Sequence, residues 1–89
     1  MNRVTEKQLQ DICDEINRVC GTPMNPYTQE GPQAKCYHLS FAYGGVALHQ
    51  MCDEGSSIRD VFPGHMPKRE LEGKMRAFLR GIAAGAVKA

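Results

Sequence analysis

The stretch Lys35-Cys36-Tyr37-His38-Leu39-Ser40-Phe41-Ala42-Tyr43-Gly44-Gly45-Val46-Ala47-Leu48-His49-Gln50-Met51 decides the fold. Tyr37, Leu39, Phe41 and Tyr43 alternate with Cys36, His38, Ser40 and Ala42, the period of two expected of a strand with one buried face. Gly44-Gly45 follows at once, so the stretch reads as a β-hairpin closed by a two-residue turn. With Gly44 and Gly45 as the turn residues, Tyr43 faces Val46, Phe41 faces Leu48 and Ser40 faces His49. One face then collects Tyr37, Leu39, Phe41, Tyr43, Val46, Leu48 and Cys52 and is the core face. The other shows Cys36, His38, Ser40, Ala42, Ala47, His49 and Met51, too polar for a second core and too uncharged for plain surface.

Working outward, Thr5-Glu6-Lys7-Gln8 fits a capping box, with Val4 and Leu9 placed as a hydrophobic staple. Leu9, Ile12, Cys13, Ile16, Val19 and Cys20 form one helical stripe that Gly21 stops, and Asp11, Asp14, Glu15 and Arg18 face water. Gly21, Pro23, Pro26, Gly31 and Pro32 make residues 21 to 34 a wrapping loop, in which Pro26-Tyr27 either anchors on the core or lines a pocket. After the hairpin, Asp53 to Ser57 is a turn, Ile58 to Phe62 a short helical turn or extended piece, and Pro63 to Pro67 a tight loop. Pro67 opens a last helix with the stripe Leu71, Met75, Phe78, Leu79 and Ile82, supported by Glu70–Lys74 and Glu72–Arg76 pairs. The tail from Ala83 to Ala89 frays. The class is α+β, in the order α-β-β-α, with both helices on one face of the hairpin.

The chain has 89 residues, 42% of them apolar, enough for one domain over 1–89 and too few for two. A lone hairpin leaves both edges unpaired, so a homo-oligomer that extends the sheet is expected. No apolar run approaches a signal peptide or a membrane span, which implies a soluble, cytoplasmic protein with no membrane partner. Cys13 and Cys20 lie roughly 10 Å apart along one helix, too far to bridge, so Cys13, Cys20, Cys36 and Cys52 are read as thiols.

Eleven basic and ten acidic residues give a net charge of +1, which hides a division. Residues 1–60 hold five basic and eight acidic side chains, net −3; residues 61–89 hold six and two, net +4. Lys68, Arg69, Arg76 and Arg80 concentrate this charge on the last helix, and Lys68 and Arg69 follow Gly64-His65-Met66-Pro67 at its start, where backbone N–H groups favour anions. On the hairpin, His38, Tyr43 and His49 beside a Gly-Gly backbone suit a base or sugar. Candidate ligand-binding residues are therefore His38, Tyr43, His49, His65, Lys68, Arg69, Arg76 and Arg80. Cys36, His38 and His49 share a face, with Asp53 opposite Cys36, but no paired Cys-x-x-Cys or His-x-x-x-His unit supports zinc, and no metal or cofactor is assigned. A Ser40–His49 neighbour pair without an orienting acid or oxyanion donors gives no catalytic residues, so the protein is read as no enzyme.

Asn25-Pro26-Tyr27-Thr28, the segment Tyr37 to His49, and Gly64-His65-Met66-Pro67-Lys68-Arg69-Glu70-Leu71 together resemble a family of small uncharacterised proteins of tailed bacteriophages and prophages. The resemblance covers most of the chain and implies expression in a bacterial host cytoplasm and an accessory role, such as countering host defence or redirecting host machinery. The expected function is non-enzymatic binding of a phosphate-bearing ligand. A nucleotide is favoured over nucleic acid, because a net charge of +1 gives little of a nucleic-acid footprint. The alternative is a protein-binding inhibitor of a host factor, acting through the exposed sheet face or edge.

Overall fold

Thr5 starts the first helix as its sequence requires. The Gln8 N–H donates to the Thr5 hydroxyl at 3.1 Å, and the Thr5 N–H donates to the Gln8 side-chain oxygen at 2.8 Å, which closes the capping box. In the computed structural model, which describes residues 3–52 and 57–85, helix α1 spans Glu6–Cys20 and helix α2 spans Lys68–Ala83. Between them lie β1 (Tyr27–Thr28), β2 (Gly31–Pro32), β3 (Tyr37–Ala42), β4 (Gly45–Met51) and β5 (Ile58–Asp60). The expected turn at 53–57 falls largely outside the described residues, as do Asp53 and the last four residues of the tail. No helix among the described residues is long and apolar enough to cross a membrane.

The architecture is α+β, with the helix-strand-strand-helix order read from the sequence. Leu9, Ile12, Cys13 and Ile16 of α1 and Leu71 and Met75 of α2 share one core with Tyr37, Val46, Leu48 and Met66. The helices thus cover the face of the hairpin on which Tyr37, Leu39, Val46 and Leu48 were expected to be buried. Asn17, fully buried at the end of this stripe, donates its amide to the Tyr37 carbonyl at 2.9 Å and accepts from the Tyr37 N–H at 2.8 Å. A side chain thereby satisfies both backbone groups that β3 turns away from β4 at that position.

Four expectations are corrected. The hairpin turn is Tyr43-Gly44, with φ of 55° and 74°, the paired positive values of a type I′ turn; Ala42 pairs with Gly45, Phe41 with Val46, Ser40 with Ala47 and His38 with His49. The register slips by two residues, so the side chains that stay paired keep their expected faces but move along them. Tyr43 leaves the core face for the tip, where it is 96% exposed, and Phe41, now opposite Val46, is half exposed. Gly45 stays in the strand because the Met66 backbone passes where a side chain would be: a Cβ there would stand 3.0 Å from the Met66 oxygen.

The remaining corrections concern the flanks. The extended alternative for Ile58 to Phe62 holds at Ile58–Asp60, and the two-stranded sheet is corrected to three: β5 pairs antiparallel with β4, giving the order β3-β4-β5 and making β4 central. This covers, within one chain, one of the two edges for which a second copy was expected. The 21–34 loop holds a two-residue ladder, Tyr27 opposite Pro32 and Thr28 opposite Gly31, and Tyr27 is exposed rather than anchored on the core. Finally, the second face of the sheet is not open, because Ala47 and Met51 are buried on it.

Candidate functional site

The covering of the second face begins in the strand that was not foreseen. From Asp60, opposite His49, to Met66, opposite Val46, the chain spends six residues where β4 spends three, so the surplus bows out as a strap over 61–65. The Val61 N–H donates to the Leu48 carbonyl at 3.0 Å, while Met66 and Val46 exchange both backbone hydrogen bonds at 2.9 Å. Val61 and Phe62 pack on the core, and Phe62 meets Phe78 edge to face. His65, at the end of the strap, reaches over β4 to Ser40 on β3, with 3.2 Å between Nε2 and the hydroxyl. Ser40 stands opposite Ala47, whose single methyl leaves room for the crossing imidazole.

This crossing gathers all three histidines of the chain. Ring centroids lie 5.7 Å apart between His38 and His49, 5.9 Å between His49 and His65, and 5.5 Å between His65 and Tyr43, each pair edge to face. The Asp60 carboxylate meets His49 Nε2 at 2.8 Å. His38 Nε2 is buried without a hydrogen-bond partner. Burial pushes the His38 pKa below its ordinary 6.5; a hydrogen bond to the Leu39 backbone opposes this and His49 adds to it. Among the described residues no three His, Cys, Asp or Glu side chains are disposed to hold a metal ion. The Ser40 hydroxyl pairs with His65 and not with His49, while the Asp60 carboxylate meets His49.

The second gathering is a cleft of about 800 Å³ where the hairpin turn meets the starts of both helices. Arg3, Lys68 and Arg69 supply positive charge, Gly44 and Gly45 bare backbone, and Phe41 an aromatic wall; Val4, Glu6, Ala42 and Pro67 complete the lining. Pro67, expected as the first residue of α2, instead occupies its N-cap and offers no side-chain cap, so the first-turn N–H groups carry the positive end of the helix dipole toward this end. Lys68 has one acidic neighbour, Glu6, at 3.9 Å.

Of the expected ligand-binding residues, the structure brings His38, His49, His65 and Tyr43 together on the sheet and Lys68 and Arg69 together in the cleft. Gly44 links the two places, since it follows Tyr43 and lines the cleft. Arg76 and Arg80 lie two or more turns farther along α2 and do not line the cleft, and Arg76 is engaged by Glu72 at 3.2 Å. Arg3, Phe41 and Asp60 were missed. Phe41 alternates as a core residue does and Arg3 precedes any regular element; only the 58–60 strand, not Asp60 itself, had a signal. Comparison with protein-family models, curated proteins and solved structures finds no match to this chain.

Proposed function

We propose that this protein binds a phosphate-bearing small molecule, a nucleotide in preference to nucleic acid, without catalysing its conversion. The cleft carries the reading: three cations and an uncapped helix start suit a phosphate, and the half-exposed Phe41 ring beside them suits stacking of a base. Its volume is that of a small-molecule site, whereas nucleic acid requires a charged track. A bacterial cytoplasm and an accessory, phage-type role belong to the same proposal through the sequence resemblance. So does self-association along β3, one of the two outer strands of the β3-β4-β5 sheet, for which mass in solution is the check.

A thermal-shift screen against mono-, di- and cyclic nucleotides tests the reading. A saturating ligand raises the melting temperature, and the Lys68→Ala, Arg69→Ala double variant removes the shift. Unchanged titrations in that variant overturn the phosphate site. The rival reading, a host-protein inhibitor, draws on Tyr43 projecting at the hairpin tip, and it requires a partner that Tyr43→Ala releases while nucleotides have no effect.

A further inference from the structure

Outside the cleft, the described residues bring three imidazoles and the Asp60 carboxylate together in the histidine row, and its His65 lies on the segment that leads into the cleft wall. His65 is followed directly by Met66, whose two backbone bonds to Val46 pin the strap, and then by Pro67 and Lys68, which line the cleft. On the β4 side the next residue toward the turn is Gly45, itself a lining residue in near contact with Met66. Whatever moves His65 therefore moves one wall of the cleft.

The row is poorly equipped to hold more than one positive charge. Each imidazole meets the next at 5.7 to 5.9 Å, and like charges at that separation repel. Facing the row are Asp60 from β5, against His49; Ser40 from β3, against His65; the Tyr43 ring from the turn; and the Leu39 backbone, against His38. The helices pack on the other face, where Lys7–Asp11, Arg18–Glu15, Lys68–Glu6 and Arg76–Glu72 form ion pairs and Asp14, Arg69, Glu70, Lys74 and Arg80 are the further charges. Among the described residues one carboxylate thus faces three rings, and the buried Nε2 of His38 has no acceptor for a proton it gains.

We propose that the row is an acid-operated latch: a proton taken up at His38 loosens the 61–66 strap from the sheet, and with it the Pro67–Lys68 wall of the cleft, so that acidification releases a bound anion. The release half rests on the reading of the cleft as an anion site. The sign follows from His38. Its folded-state pKa lies below the ordinary 6.5, so the unfolded chain binds more protons in between; the stability it contributes is complete above about 6.5 and is lost as the pH falls through the lowered value. Plain charge attraction has the opposite sign, because a more protonated protein holds anions more tightly.

The test uses the full chain and inorganic sulfate, whose charge is constant over the range. Amide protection at Met66 and Val46 is measured by hydrogen exchange from about pH 7.5 to 5.5, alongside sulfate titrations read at the Gly44 and Gly45 amides. Protection at both amides falls as the pH is lowered, and the sulfate dissociation constant rises in step. The His38→Phe variant, which keeps a flat ring against His49 but accepts no proton, flattens both trends. Constant protection in the wild-type chain overturns the latch, whether or not sulfate binds. Falling protection with no sulfate binding at any pH supports the latch and overturns the anion reading of the cleft.

Discussion

Asn17 carries more of this fold than its residue type suggests. It is buried in a helix stripe of Leu, Ile and Cys, and its amide meets both the N–H and the C=O of Tyr37, while its side-chain oxygen also accepts from the Thr22 hydroxyl at 2.7 Å. Asn17→Ala leaves two buried backbone groups without these partners, and at about 1–3 kcal/mol for each unsatisfied group we expect a loss of about 2–6 kcal/mol in urea unfolding. Nearby, burial followed by the Asp14 charge raises the Cys13 thiol to about 12 and the Cys36 thiol to about 11, so these buried cysteines, free as their spacing suggested, behave as small apolar side chains.

At the scale of elements, the third strand and the strap beyond it organise the second sheet face. Gly45→Ala tests their fit: the added methyl meets Met66 backbone at 3.0 to 3.1 Å, which cannot give as a side-chain tip would, and we expect a loss of about 1–3 kcal/mol in thermal or urea unfolding. Both helices were legible because caps and stripes are local: Thr5 with Gln8, and Leu71 with Met75, declare themselves within a few residues. The faces of the hairpin were legible for the same reason. Its register was not, since Tyr43-Gly44 and Gly44-Gly45 both close a two-residue turn, and a contact with Met66, twenty-one positions away, keeps Gly45 in the strand. Likewise His38, His49 and His65 were each singled out as candidates, but their meeting depends on the 61–65 strap, whose path no local pattern announces.

At the scale of the whole molecule, the charge division takes on a location. The basic last helix begins at the cleft, and Arg3, from the acidic part of the chain, joins it there. Arg3 is exposed, so Arg3→Ala should leave the melting temperature unchanged while weakening nucleotide or sulfate binding about tenfold, the scale of one charge-assisted hydrogen bond, as measured by calorimetric titration. The amide of Asn17 has a wider consequence. It occupies, for one residue, the place of a neighbouring strand, and so blocks the far end of the outer β3 edge. The alternation that turns Tyr37 outward turns Leu39 and Phe41 outward too, toward the hairpin tip. A foreign strand that docks along β3 must therefore enter from the tip, stopping short of Tyr37, and would lay its side chains beside the Phe41 wall.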